Sequence, residues 1–427
     1  MAGTAQVIRL GSLSYDEEAS FAAATSTSDK ALQIRDATLT PAGLVQEMVP
    51  RGGVFQRPDQ GDNHIPGVFT TASLTFTMDL YGHGTTTAGS LSQTPVARLL
   101  GHAVGNADSS VIGGSATSDS SGDSDIVSSN ITLVEGQMVR AGALGDTRGG
   151  GQANVSKDVS DTTGFDMKAS YTDDLNSGDV IYGLQTIFPA DTTGAAHLTS
   201  NSAGNNNTLR FLAATGAQQW VLRGCACTGI SFGGLNTGEV PSVTFTFGVA
   251  FWDDMDAAYP VALSPADKAP APTANGSFQI QAVGTTTNNY EVIRNFAIDI
   301  AHEVFPIMGP GGINDKQVIV GWVRGGSRPT VTFDVEAQDA AASPTWSAWW
   351  ETDPNTIVNK YLIYTMNVVD GRSVVWHLPN MRPAGQRPTQ VEVDGLTYVS
   401  VTCEGLEFTG SDNDTNVARS SWRLGLG

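Results

Sequence analysis

A chain of 427 residues is long enough for about two to four domains of ~100–200 residues, each with a core of its own. Charged residues make up only 15%, against a typical value of about 25%, and Ser, Thr, Gly and Asn take their place, which excludes an ordinary helical protein and suits turn-rich β structure. A formal net charge of -20 argues against gripping nucleic acid by phosphate neutralisation, while leaving room for a protein that handles DNA by repelling it.

Residues 1 to about 35 are polar and irregular apart from a possible short helix near Asp16 to Ala24, and read as an extended arm. The arm contains Val7-Ile8-Arg9-Leu10, a run able to add to a sheet edge on a neighbouring molecule. Met1 to Arg9 has neither the basic start nor the apolar core of a signal peptide, and no window approaches the roughly 18 apolar residues of a membrane helix. The chain therefore reads as made in a cytosol, with no membrane partner.

Ala31 to Thr40 alternates apolar with polar residues, and Gly43 to Gly53 holds a second apolar run. Ser73 to Tyr81 alternates more strictly and is followed by a small-residue turn, Gly82 to Gly89, and a Thr-Pro-led helix, Thr94 to Leu100. The same plan returns at Arg328 to Glu336, Ala337 to Ala342 and Ser343-Pro344 to Trp350. A β unit used twice points to assembly more than to catalysis, since each copy offers an equivalent joining surface.

Between the copies, residues 106–207 carry 13 acidic against 4 basic side chains, with strand signals only at Asn130 to Val139 and Asp179 to Phe188. This stretch reads as an insertion of hairpins and loops. Strands resume at Leu209 to Leu212, Gln219 to Phe232 and Ser242 to Gly248; Pro260 to Pro272, with four prolines, reads as a semi-rigid linker. The remaining strands are Asn295 to Ile300, Gln317 to Val323, Thr330 to Glu336, Tyr361 to Val368, Ser373 to Leu378, Gln390 to Val393 and Tyr398 to Phe408. Gln390 to Val393, the Asp394-Gly395 turn and Val399 to Cys403 parallel the strand pair around Gly229–Phe232 and Val243–Phe247. The expected organisation is an arm (1–35), a β module (36–257) holding the insertion, a linker (258–276) and a second β module (277–427).

No motif with a chemical mechanism survives its context. Gly229-Ile-Ser231-Phe-Gly233 matches the hydrolase elbow as a string, but no helix follows to build the strained turn. Gly82 to Gly89 lacks the Lys-Ser/Thr pair of a phosphate loop. Asp119, Asp123 and Asp125 lack the spacing of a calcium loop, and the six histidines form no ligand pattern. Cys225, Cys227 and Cys403 are too few for a disulfide framework and read as small core or interface residues in a reducing compartment. Trp346, Trp349 and Trp350 share one helical face, read as core packing. No catalytic residue, cofactor or metal is expected.

The unit running from Ser73 to Tyr81, through Gly82 to Gly89 and into Thr94-Pro-Val-Ala-Arg-Leu-Leu-Gly-His-Ala-Val-Gly105, resembles the major tail tube proteins of long, flexible-tailed bacteriophages. Gly224 to Phe232 and Gly238-Glu-Val-Pro-Ser-Val-Thr-Phe-Thr-Phe247 are similar to that family's strand, turn and final strand. The second half, Arg328 to Trp350, is similar again.

The resemblance implies two tandem tail-tube-type β-sandwich or barrel modules, each with a short flanking helix. It implies a structural virion protein, made in the bacterial cytoplasm and resident in the phage tail. Its partners would be further copies of itself in a stacked ring of three chains, other tail proteins at the tube ends, and genomic DNA passing through without specific binding. Asp79, Asp334, Glu336 and Glu392 are candidates for an acidic lumen; Val7, Ile8 and Leu10 are candidates for an inter-ring arm. Two other readings are another virion β protein, in the capsid surface or tail tip, and a carbohydrate-binding or hydrolytic β protein using residues such as Asp253 and Asp254.

Overall fold

The computed structural model describes residues 8–9, 12–18, 21–22, 30–41, 47–48, 64–65, 71–82, 94–108, 114–115, 117–118, 125–127, 136–141, 153–158, 164–167, 180–189, 196–198, 208–215, 218–255, 276–282, 292–309, 319–336, 359–367, 373–384, 389–407 and 420–427. Among these the protein is mainly β, with one helix. The N-terminal part supplies β1 (Ile8–Arg9), β2 (Ser12–Glu17), β3 (Lys30–Ala31), β4 (Asp36–Thr40), β5 (Glu47–Met48), β6 (His64–Ile65), β7 (Ala72–Asp79) and α1 (Pro95–Val104). The acidic region supplies β8 (Gly105–Asp108), β9 (Gly114–Ser115), β10 (Thr117–Ser118), β11 (Asp125–Val127), β12 (Met138–Ala141), β13 (Ala153–Asp158), β14 (Gly164–Met167), β15 (Val180–Gly183), β16 (Gln185–Pro189) and β17 (Ala196–Leu198). Next come β18 (Leu209–Thr215), β19 (Gln218–Gly233), β20 (Ser242–Val249) and β21 (Phe251–Met255). The last part holds β22 (Gly276–Ala282), β23 (Ile293–Met308), β24 (Ile319–Glu336), β25 (Lys360–Met366), β26 (Val374–Pro383), β27 (Thr389–Val393), β28 (Leu396–Gly405) and β29 (Arg423–Leu426).

Strict alternation makes β7 a two-faced strand. Leu74, Phe76 and Met78 point into the core, while Ser73, Thr75, Thr77 and Asp79 form the other face. The first module's sheet runs β1-β4-β7-β20-β19-β18-β2-β3, with β21 also on β19. β19 passes Gly224, whose left-handed φ of 61° only glycine adopts easily, and a register shift between Cys227 and Gly229. Beyond that corner β18 and β2 cover the first four strands, and Phe211 of β18 meets Phe247 at 4.8 Å and Phe76 at 5.8 Å between ring centroids. Each of these buried rings contributes about 1.5–3 kcal/mol of transfer free energy.

The second module repeats the plan. In order, β4-β7-β20-β19 corresponds to β23-β24-β28-β27, with every neighbour antiparallel. Thr75 lies opposite Thr38 and Thr246, as Thr332 lies opposite Ala297 and Thr402. β22 and β25 close the sandwich, with Phe278 5.0 Å from Phe333 and Tyr364 4.5 Å from Phe296 between ring centroids. β24 joins two expected strands into one despite Pro329. It pairs with β17 up to Arg324 and with β28 from Thr330, so among the described residues Pro329 falls where only β23 lies across from it.

Helix α1 has its expected start and runs one turn past the expected end at Leu100. The Thr94 hydroxyl accepts from the Ala97 amide at 3.3 Å, Pro95 occupies the first turn, and Gly105 ends the helix at φ 109°. Its Val96, Leu99, Leu100 and Ala103 are buried, and the Arg324 guanidinium of the second module donates to the His102 carbonyl in its last turn. The expected second helix, with Trp346, Trp349 and Trp350, lies outside the described residues, as does the linker except Gly276, which opens β22.

Three expectations are corrected. The described part of residues 1–35 is not an extended arm, and Asp16–Glu17 is strand rather than helix: β2 pairs with β18, where Leu13 and Tyr15 are 1% and 0% exposed. The pattern Ser-Leu-Ser-Tyr buries two large side chains on a preformed sheet, which outweighs any local helix preference. The acidic region is richer in strands than expected and forms its own sheet, β10-β11-β14-β13-β12-β15-β9. Nor is it a self-contained insertion in the first module, because β8, β16 and β17 extend the sheet of the second. Its anchors are apolar: Met138 and Leu184 pack with Tyr361, Ile363 and Val375.

Candidate functional site

The described surface has two features with functional content: the outward face of the paired four-strand sheets, and the junction between them. In the first module the outward face is built of hydroxyls. Thr77 and Thr244 are 2.8 Å apart, and Thr75 and Thr246 are 3.4 Å apart, in cross-strand pairs. Asp79 ends this face and is ion-paired with Arg35; burial raises its pKa, with the Arg35 charge acting against that.

The corresponding face of the second module is more charged. Asp334 accepts from the Asn295 side-chain amide at 2.6 Å and lies 3.4 Å from Arg294, whose guanidinium stacks 4.3 Å from the Tyr398 ring centre. Glu336 shares this face because β24 alternates. Asp299, Thr330 and Glu404 form one row across β23, β24 and β28, and Arg382 lies 3.9 Å from Glu404.

The four acidic candidates thus divide. Asp79, Asp334 and Glu336 lie on the polar faces, two of them beside an arginine. Glu392 does not join them: it is opposite Thr397, whereas Asp334 is opposite Ser400, and odd and even positions of β28 point to opposite sides. In the arm, Ile8 pairs with Leu39 of the chain's own sheet, while Val7 and Leu10 lie outside the described residues.

At the junction, β19 of the first module runs beside β23 of the second. The His302 Nε2 donates to the Cys227 carbonyl at 3.0 Å, and burial pushes the His302 pKa down to about 4, so the ring is neutral. At the other end the Asn236 side chain accepts from the Phe296 amide at 2.9 Å, and the Tyr364 hydroxyl donates to the Leu235 carbonyl at 2.9 Å. Trp322 is buried against Ala226, Val304 and Ile319, with its indole N–H donating to the Gly224 carbonyl at 2.8 Å. Sequence reasoning missed these residues. A glycine at 248 inside an otherwise bulky strand was the one available sign that something large approaches there.

The chemical motifs take structural places. Ser231 sits in mid-strand opposite Thr244, with no elbow and no following helix. Cys225, Cys227 and Cys403 are free and buried, and burial pushes the Cys227 thiol up to about 12, which makes it inert. Among the described residues no group of three His, Cys, Asp or Glu side chains could hold a metal ion, and no helix is long and apolar enough to cross a membrane. Gly82 is described but the rest of its loop is not, and Asp119 and Asp123 also lie outside the described residues.

No protein-family model matches the chain, and no curated protein matches it.

Proposed function

We propose that this chain is a structural subunit of the tail tube of a long-tailed bacteriophage, three copies forming a ring and rings stacking into a conduit for DNA. One observation carries the reading: two β modules of the same strand order and register lie side by side, β19 of one running along β23 of the other. That contact is heterologous, and repeated heterologous contacts close into rings when the rotation allows. Two modules per chain make a six-module ring from three chains. A hydroxyl-lined face continued by one on which Asp299, Asp334, Glu336 and Glu404 outnumber Arg294, Arg328 and Arg382 is also suited to a wall past which DNA slides, since hydroxyls and carboxylates give phosphates little to bind.

In this reading the protein is not an enzyme and needs no cofactor, and its other partners are the tail proteins at the tube ends. Electron microscopy of the purified chain is the test. Tubes of stacked three-chain rings are the expected result; single particles that never stack would favour a capsid-surface or tail-tip role instead.

A further inference from the structure

We propose that successive chains join head to tail through the edge of β27 away from β28 and through the β27–β28 turn, which seat on the β4 edge of the next copy. This rests on the tube-subunit reading and names the surface that closes the ring.

The internal junction supplies the pattern. There, β19 lies along β23, and the turn that follows β19 is plugged into the second module: Leu235 is 3% exposed and Asn236 holds the Phe296 amide. β27 is the counterpart of β19. Among the described residues, however, it pairs with β28 alone, leaving a row of backbone donors and acceptors on its other side. Its two-residue turn, with Asp394 at φ 53° and Gly395 at φ 79°, delivers Leu396, which is 49% exposed. Leu235 lies in the turn after β19 and Leu396 opens β28 after the shorter β27–β28 turn, so an apolar residue beside the turn is covered where the junction is made and exposed where it is still open.

The receiving edge is also present. β4 is the counterpart of β23, with Thr38 in the place of Ala297 and Ala37 in the place of Phe296, the residue that binds Asn236 inside the chain. Along the outer edge of β4, β1 covers only Thr38 and Leu39, so the Asp36–Ala37 end has no strand across it among the described residues. The occupant that fits β27 is a β4-type edge, and a second copy of this chain presents one. Donor and acceptor are different surfaces, so the contact can repeat around a ring.

Leu396→Asp in the full chain tests this, read by light scattering and electron microscopy beside the wild type. The expected result is loss of rings and tubes, with association weakened at least about tenfold, and an unchanged circular dichroism spectrum and melting temperature. A second measurement pairs Leu396→Cys with Asp36→Cys and a short bis-maleimide; the three native cysteines are buried, so the new thiols react first. A ladder of linked dimers and trimers, absent from either single variant, is expected. A Leu396→Asp protein that assembles normally, or the absence of the ladder from assembled protein, overturns the proposal while leaving the tube reading intact. A wild type that stays monomeric at every concentration overturns both.

Discussion

The indole of Trp322 occupies the space that a side chain on Gly248 would need: a Cβ built there would lie 2.5 Å from Cη2 of the ring. The two residues belong to different modules, so this is a lock between them, closed further by the bond from the Trp322 indole to the Gly224 carbonyl. Gly248→Ala forces a fully buried ring to shift, and overpacking of this kind costs about 1–3 kcal/mol. The urea midpoint should fall by the corresponding amount; an unchanged midpoint would mean that the ring has room to move aside.

The N-terminal strand makes a second prediction. Leu13 is 1% exposed on β2, at a place where β2 pairs with β18. Leu13→Ala should cost about 2–5 kcal/mol, measured by thermal or urea unfolding of the unassembled chain. If residues 1–35 served only to bind a neighbouring ring, the same substitution would leave the unassembled chain's stability where it was.

That strand also shows where sequence reasoning ends. Leu74, Phe76 and Met78 announce β7 through their period, Thr94-Pro95 announces the start of α1, and the Asp394-Gly395 turn announces the β27–β28 hairpin. Each of these signals is local. Leu13 and Tyr15 carry too short a pattern to define a strand by themselves, and their partners on β18 lie half a chain away. β8 and β17 are likewise too short to read, and β16, although legible as strand within Asp179 to Phe188, pairs with β29 more than 200 residues away in the second module. The polar faces were legible from alternation, but the side chosen by Glu392 depends on its register with Thr397, which alternation within β27 alone does not determine.

Glu17, the last residue of β2, and Glu18, which follows it, should give pH dependences of opposite sign. Glu18 is 3% exposed and accepts from the Thr208 hydroxyl at 2.5 Å and from the Gly224 and Ala22 amides at 2.9 and 3.0 Å. Burial nevertheless dominates and raises its pKa to about 7, with the three bonds and the Arg223 charge opposing. The folded state therefore keeps a proton that the unfolded state has lost, and stability declines as pH rises from about 4.5 to 7, by roughly 3 kcal/mol in all. Glu17 is the reverse: the hydrogen bond from His102, then the His102 and Arg98 charges, hold it down at about 2, so its contribution is lost as pH falls below the ordinary carboxylate range. Melting temperature against pH should slope downward from 5 to 7 in the wild type and flatten in Glu18→Gln. A slope unaffected by that substitution would assign it to other groups.

The row Asp299, Thr330 and Glu404 offers the last test, of what the polar face is for. All three side chains are exposed, and they lie directly opposite one another across β23, β24 and β28. If this face lines a DNA conduit, its carboxylates keep phosphates from binding within a Debye length of about 8 Å at physiological salt. Replacing Asp299 and Glu404 with lysine moves the charge of the face by four units per chain, since each substitution removes one negative charge and adds one positive. Exposed positions tolerate this at little cost to the fold. Tubes of the double variant should then retain fluorescent duplex DNA in a pelleting assay, with an affinity that falls steeply as salt is raised, whereas wild-type tubes should retain none. Retention by the wild type, or no gain in the variant, would remove DNA repulsion as the role of this face even where tubes form normally.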